Sequence, residues 1–481
     1  MTTSNNEEIL TNILKDREER FALRNSLAER GLASISLNFN IPGYPKSSEI
    51  LKNAFNCVQN DLLRFLVAHR IHKIPNTQHY HHSDNGNFFL QGVAYVFEDE
   101  QVKKFLEDFE QTHPLERLLD VDLMNSEGEM ISSGKDKKCF LCDHPAKKCM
   151  KEKRHSFEEY NNYVNEHTQN YLATIKKNLV ISIITEKAIV ASLYEVSVED
   201  KPGLVCPSSN GAHTDMDFFT FLSSSGSLSN YWRQTAKYGY KTGRKAKESV
   251  DFKEIRKNLR LMGLEAEEAM YTATNGVNTQ KGMIFLIGLA SFASAAVFAN
   301  SEKFSQEAFQ AWVQKIMKGI VDEDFDKGHA QHGTHGEEAF KKYGKHLAGG
   351  ARHEAEQGFP TVFNYAIGYL NAQIGDDYRV LTKEDWQEVL TNLLMLIISK
   401  SNDINILYRK NQEALRQVQC HAARVLTTPI GYHRNQSLKN FGEYCMFNNI
   451  SPGGAADLLA LSLFVYFIEN LDFTHYSLGE R

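Results

Sequence analysis

Ser34-Ile35-Ser36-Leu37-Asn38-Phe39-Asn40-Ile41 alternates strictly between apolar and polar residues, and Pro42-Gly43 closes the run. Alternation of period two places Ile35, Leu37, Phe39 and Ile41 on one face of a β-strand. Working outward, residues 7–31 before it are polar and helical in spacing. Residues 47–69 after it repeat Leu51, Phe55, Val58, Leu62, Phe65 and Leu66 at helical intervals. Asn87–Phe97 and Glu116–Met124 read as two more strands, and His79, His81 and His82, ahead of the turn Asp84-Asn85-Gly86, as an exposed loop. The first part is therefore mixed α and β. From about residue 175 the texture changes. Ile255, Leu259, Met262, Ala266 and Met270, and the apolar positions of 386–398 and 412–425, all follow helical periods, so the second part reads as all-helical. A polar helix over 156–177 is expected to join the two, with domains at 1–172 and 178–481.

The chain has 481 residues, 42% hydrophobic and 24% charged, which suits globular domains rather than a disordered chain. A net charge of -6 excludes polycation behaviour, and with it nonspecific nucleic-acid binding. Seven cysteines are too few and odd in number for a disulfide framework, so a reducing cytoplasm is expected. The apolar run Gly282–Ala299 is long enough to span a membrane, but Gly and Ser interrupt it and it lacks basic flanks. It is read as a buried helix, with no membrane partner.

Leu118-Leu119-Asp120-Val121-Asp122-Leu123 is the first stretch that carries chemistry. On a strand, Leu119, Val121 and Leu123 face a core while Asp120 and Asp122 point together from the other face, where paired carboxylates suit Mg²⁺. Cys139-x2-Cys142-x6-Cys149-x5-His155 offers the soft tetrahedral set zinc prefers. Eight basic residues (Lys135, Lys137, Lys138, Lys147, Lys148, Lys151, Lys153, Arg154) surround it and suit phosphates or an acidic partner. With REER at 17–20, SLNFNIPGYPK at 36–46, RLLDVDLMNSEG at 117–128 and KCFLCDHPAKKCMKEKRHS at 138–156, residues 10–172 resemble holo-citrate lyase synthase, the apo-citrate lyase phosphoribosyl-dephospho-CoA transferase. The resemblance implies a nucleotidyltransferase-like α+β domain. It would attach phosphoribosyl-dephospho-CoA to a serine of the citrate lyase acyl carrier protein (the gamma subunit) and release pyrophosphate, with Asp120 and Asp122 as metal ligands.

In the second part, Asn210-Gly211 is expected to lead into a helix on which His213 and Asp217 share a face, with Asp215 near its start. Glu267 lies on a helix. Asn278 and Lys281 sit in a polar turn before an apolar helix, where phosphate binds readily. Arg352 can fork a phosphate. His329, His332 and His335, three residues apart, are a weaker candidate for metal. Asp403 and Asn405 read as a metal-facing pair at the end of a buried helix, and Ser451, Gly453 and Gly454 as an anion-binding turn at a helix start. Taken in order, KPGLV, NGAHTDMDF, AEEAMYTATNGVNTQKG, THGE, GARHEAEQGFP, SNDINILYR and SPGGAADLLA resemble triphosphoribosyl-dephospho-CoA synthase over roughly 180–470. That resemblance implies an all-α enzyme using ATP, dephospho-CoA and Mg²⁺ and releasing adenine. His213, Asp215, Asp217, Glu267 and Asp403 are the candidates for base or metal, and Asn278, Lys281, Arg352, Arg409, Ser451, Gly453 and Gly454 for substrate binding. Gln280 replaces the family's usual His, Cys206 its Asp, and Arg409-Lys410-Asn411 its Arg-Gly-Gly turn. The whole chain reads as a fusion of two consecutive steps in citrate lyase maturation. Two rival readings use the same residues: a metal-dependent hydrolase of nucleotide N-glycosidic bonds, and a non-catalytic carrier-protein scaffold.

Overall fold

The computed structural model describes residues 3–132, 134, 138–245, 249–321, 323, 342–375 and 378–471. The His329, His332 and His335 candidates lie outside the described residues. The chain divides into two compact units, the first ending at Lys176 and the second beginning at Lys177.

The first unit is built on an antiparallel sheet. Its strands are β1 (Ala33–Phe39), β2 (His72–Lys73), β3 (His79–Ser83), β4 (Gly86–Ala94), β5 (Leu119–Met124) and β6 (Met130–Ile131), ordered β2-β4-β1-β5-β6, with β3 also on β4. The alternation at 34–41 does what it predicts. Ile35, Leu37 and Phe39 are buried with Leu51, Phe55, Val58 and Leu62 of α2 (Glu49–Ala68) and Leu106 and Phe109 of α3 (Asp99–Thr112). The opposite face carries Phe88 and Leu90, which pack with Leu27 of α1 (Thr3–Ala28). One reading is corrected here. His79–Ser83 is a strand and not a loop, paired antiparallel with β4 from His79↔Leu90 to Ser83↔Gly86. It is a largely solvated outer strand, so it has no apolar alternation to reveal it.

A short helix, α4 (Ala146–Glu152), precedes α5 (Phe157–Ser197), which runs 41 residues, well past the expected end at 177. No Gly or Pro interrupts 157–197, so nothing local stops the helix. Among the described residues, the other regular elements of the second unit are helices, as expected: α6 (Phe218–Ser227), α7 (Ser229–Gly243), α8 (Phe252–Ala273), α9 (Lys281–Phe298), α10 (Gln306–Met317) and further helices to Glu469. Helix α9 passes the length and composition test for a membrane span, yet every residue from Leu286 to Phe298 is buried within the second core. Gly239 and Gly243 of α7 explain how tightly it is held. A Cβ at these positions would lie 2.1 Å from the Phe292 carbonyl oxygen and 2.4 Å from that of Ala296. Larger residues would force the two helices apart.

Candidate functional site

In the first unit the register of β1 against β5 pairs Ser36 with Asp122 and Asn38 with Asp120. This gathers four polar side chains on the face away from the α2–α3 core, while Leu119, Val121 and Leu123 stay buried. Helix α1 supplies the countercharges from Arg20 and Arg24, one turn apart. Arg24 donates to Ser36 Oγ at 2.6 Å, and its Nη2 lies 3.6 Å from Asp122 Oδ2. Arg20 donates to Asn38 Oδ1 at 3.2 Å and lies 3.8 Å from Asp16. Both guanidinium groups stand over the Phe88 ring, at 5.4 and 5.6 Å from its centre. Lys103 Nζ comes within 3.9 Å of Asp122 Oδ1 and donates to the Val121 carbonyl at 2.9 Å.

Burial lowers the pKa of Arg24, opposed by Asp122 and Asp120. It lowers that of Lys46 as well, and there the neighbouring positive charges of Arg17 and Arg20 act in the same direction. A Lys whose ammonium is disfavoured by other cations gains most from an incoming anion. Two carboxylates beside Arg24, with Arg20 on the neighbouring Asn38 and Lys46 next to Arg17 and Arg20, thus suit a divalent cation together with a polyphosphate. Sequence reasoning missed Arg20, Arg24 and Lys46 as site residues. The available signal was that Arg20 closes the REER motif with Arg24 four residues on along one helix, and that Lys46 closes the SLNFNIPGYPK motif.

Farther along, Cys139, Cys142, Cys149 and His155 place one ligand atom each within 4.8 Å of all the others. The Cys142 and Cys149 sulfurs are 3.4 Å apart, and His155 Nε2 is 3.3 Å from Cys142 Sγ. The Cys139 amide donates to the His144 carbonyl at 2.8 Å, closing a tight loop, and α4 then brings Cys149 back. Of the surrounding basic residues, Lys135 and Lys137 lie outside the described residues, and Arg154 pairs with Glu152.

The second unit draws together segments far apart in sequence. His213 Nε2 lies 2.8 Å from Ser451 Oγ, and its Nδ1 lies 3.8 Å from Asp215 Oδ1. Burial depresses the His213 pKa, with Arg409 adding to the effect and Asp215 opposing it. Gly203, at φ 73°, passes so close to this turn that a Cβ would sit 2.2 Å from the Ile450 carbonyl oxygen. Lys281 Nζ binds Glu267 Oε2 at 2.7 Å, and the Lys281 amide is 3.4 Å from Asn278 Oδ1.

Two expectations are corrected. His213 and Asp217 do not share a helix face, because α6 starts only at Phe218 and Asp217 is its N-cap. Asp217 Oδ1 accepts from the Thr220 amide at 2.8 Å, in a capping box that halts the helix there. Nor does Asp403, which follows helix Lys383–Lys400, keep its carboxylate oxygens open. It begins helix Ile404–Arg409, accepting from the Asn405 amide at 2.8 Å, and its second oxygen accepts from the Gly454 and Ala455 amides at 2.8 and 3.3 Å. Arg352 stands in helix Gly350–Glu356, and a Cβ on Gly350 would meet Ile404, next to Asp403.

Sequence reasoning also passed over Asp457 and the pair Glu195–Lys201. Lys201 Nζ is 2.5 Å from Glu195 Oε1, with both side chains buried. Asp457 is buried against Gly282, where a Cβ would fall 1.9 Å from its Oδ2. Burial, with Glu195 and Asp403 nearby, pushes its carboxyl well above the usual range. Nothing in a helical Glu or Asp announces burial, so only the fold reveals them. Gln280 is equally enclosed: its Oε1 accepts from Ser224 at 2.5 Å and its Nε2 donates to Ser225 at 3.1 Å.

The two units separate in sequence comparison as well. Residues 8–171 match the family apo-citrate lyase phosphoribosyl-dephospho-CoA transferase, and residues 182–474 match ATP:dephospho-CoA triphosphoribosyl transferase. Protein CitXG of Leuconostoc mesenteroides subsp. cremoris is 31% identical over 473 residues, 95% of this chain and 96% of that protein. Protein CitXG of Haemophilus influenzae is 27% identical over 94% of both chains. The 2-(5''-triphosphoribosyl)-3'-dephosphocoenzyme-A synthase of Haemophilus ducreyi is 31% identical over 67% of this chain and 98% of its own length. With both matches in this order on one chain, and a relative of the same span, the chain belongs to the ATP:dephospho-CoA triphosphoribosyl transferase family in its fused CitXG form.

Proposed function

We propose that residues 178–481 make 2'-(5''-triphosphoribosyl)-3'-dephospho-CoA from ATP and dephospho-CoA, releasing adenine. Residues 1–172 then transfer phosphoribosyl-dephospho-CoA to a serine of the citrate lyase acyl carrier protein, the gamma subunit, and release pyrophosphate. The protein is a bifunctional transferase of citrate lyase prosthetic-group synthesis. The observation that carries this reading is the order of the two family matches, each with its own cluster of acids and cations. The cytoplasm is our proposed location, on the sparse and odd cysteine count.

In the second unit a ribose hydroxyl of dephospho-CoA attacks C1′ of ATP, the C1′–N bond to adenine breaks, and the hydroxyl loses its proton. His213 is our base. It is held beside Ser451, and a depressed pKa keeps it neutral and able to accept that proton. The oxocarbenium character of such a displacement favours nearby carboxylates. Asp215 is exposed and Glu267 partly so, whereas Asp403 gives both oxygens to backbone amides and Asp217 gives Oδ1 to its cap. We therefore assign metal binding to Asp215 and Glu267 first, and a positioning role to Asp403. Lys281, Asn278, Arg352, Arg409 and the turn Ser451–Gly454 are our triphosphate contacts.

In the first unit, which we read as nucleotidyltransferase-like, Asp120 and Asp122 would hold Mg²⁺. Their shared face and partial exposure fit a hard cation that keeps waters and phosphate oxygens in its shell. Bound there, Mg²⁺ would offset the charge of the departing pyrophosphate. Arg20, Arg24 and Lys46 orient the polyphosphate, and the carrier serine attacks the phosphorus nearest the ribose. Chromatography of products from ATP, dephospho-CoA, Mg²⁺ and apo-carrier tests both steps. Adenine should appear only when dephospho-CoA is present, and pyrophosphate only when the carrier is. Adenine release without dephospho-CoA would favour the hydrolase reading, and carrier binding without turnover the scaffold.

A further inference from the structure

We propose that Cys139, Cys142, Cys149 and His155 bind one Zn²⁺, which holds the start of α5 and the loop carrying Lys46 in place. The argument begins with distances. A tetrahedral site with Zn–S of about 2.3 Å and Zn–N of about 2.0–2.1 Å requires ligand atoms about 3.5–3.8 Å apart. The observed separations of 3.4 Å between the Cys142 and Cys149 sulfurs and 3.3 Å from Cys142 to His155 Nε2 fall slightly short of that range, and no pair among the four exceeds 4.8 Å, so a small outward shift of the ligands admits the ion. Four unconnected side chains in a loop have no reason to converge on one point. Burying the Cys139 and Cys149 thiols beside the half-buried Cys142 and His155 costs polar solvation that a shared cation returns.

The surroundings are those of a supported centre. Tyr160 Oη lies 3.5 Å from Cys139 Sγ, and the Tyr160 ring stands edge-on to His155 at 5.7 Å. Such neighbours orient ligands and hold a thiolate. The set is complete at four protein ligands and leaves no position for water or substrate, so the site is structural rather than catalytic. Binding releases the thiol protons to solvent.

Its position gives it a purpose. His155 precedes α5 by one residue, and Phe157, the first residue of that helix, lies under Gly43, where a Cβ would meet the Phe157 ring at 1.9 Å. Gly43 belongs to the loop that carries Lys46 toward Arg17 and Arg20. Phe140, inside the knuckle, packs on Tyr160 and Tyr163 of the same helix. The metal thereby braces one wall of the polyphosphate site without touching it.

The test uses the full chain, purified in reducing buffer and desalted. Elemental analysis should find about one zinc per chain. Co²⁺ exchanged into the site should show thiolate charge-transfer and tetrahedral ligand-field bands. Cys142→Ser and His155→Ala should each lose most of the metal, while Cys420→Ser, an exposed thiol in another helix, should keep it. Stripping zinc with a chelator should slow carrier modification about tenfold or more and leave adenine release unchanged. Folded protein with no zinc, and no uptake from added Zn²⁺ in competition with a chromophoric chelator, would overturn the site. So would a Cys142–Cys149 disulfide in the non-reduced intact mass. Zinc that is present but whose removal leaves carrier modification untouched would overturn the bracing role. The metal readout stands even if the proposed reactions prove wrong.

Discussion

Arg24 spans two elements of the first unit: its Nε and Nη2 both donate to Ser36 Oγ, and the same Nη2 faces Asp122. Its value lies in that fork, which a lysine cannot reproduce. Arg24→Ala should lower kcat/KM for carrier modification about 10- to 100-fold, the worth of one hydrogen bond to a charged group, about 1.5–3 kcal/mol. Arg24→Lys should recover only part of it. Asp122→Asn should abolish carrier modification and pyrophosphate release yet leave adenine release intact, as product assays on one preparation would show. In the second unit His213 can accept a proton only when neutral, so adenine release should fall as pH drops through its pKa. Burial and Arg409 place that acid limb below the ordinary histidine value of about 6.5. Removing a neighbouring cation favours the imidazolium, so Arg409→Ala should move the limb up in pH. Asp215→Asn removes an anion and should move it down. A kcat/KM profile whose limb ignored both substitutions would exclude His213 as the base. Gln280, enclosed by Ser224 and Ser225, should behave differently: Gln280→His should change turnover by less than about tenfold and add no new limb.

At the level of elements, Asp403 joins two helix N-termini that are 49 residues apart in sequence, Ile404–Arg409 and Gly453–Glu469. Asp403→Ala strands three amides, two of them on the second helix, at about 1–3 kcal/mol each. Urea unfolding of the full chain should show a loss on the order of 3 kcal/mol or more in the transition of the second unit. Asp403→Asn keeps an acceptor and should lose less. Unchanged stability, with activity restored by extra Mg²⁺, would return Asp403 to the metal. This residue also shows where sequence reading succeeds and where it stops. Period-two alternation located β1, and on β5 the Asp120–Asp122 face, because a half-buried strand must alternate, whereas β4, buried on both faces, reads only as an apolar run. The solvated strand β3 obeys no such rule and went unseen. The late start of α6 depended on a capping box closed by Thr220 in place of the usual Glu or Gln. Asp403, Glu195 and Asp457 are set by which helices meet, a property of the whole core and not of any local window.

For the molecule as a whole, each unit has a hydrophobic core of its own, one around Ile35, Leu37 and Phe55, the other around α9 and helix Gly453–Glu469. A substitution at a partly exposed polar position should therefore leave the other unit folded. Two crippled chains should then cooperate. Asp122→Asn retains the second unit's chemistry, and His213→Ala retains the first. Neither alone should convert apo-carrier, ATP and dephospho-CoA to holo-carrier. Mixed, they should, because the triphosphoribosyl intermediate carries several negative charges and is freely soluble, so it can leave one chain and enter another. The rate of the mixture should rise with the concentration of the His213→Ala chain and fall when an unreactive competitor for the first unit is added. In the unsubstituted protein the same competitor should act equally if the intermediate passes through solution. Mass spectrometry of the carrier reads both outcomes. Should the mixture stay inactive while each chain completes its own half-reaction from supplied substrate, the intermediate would have to be transferred within one chain.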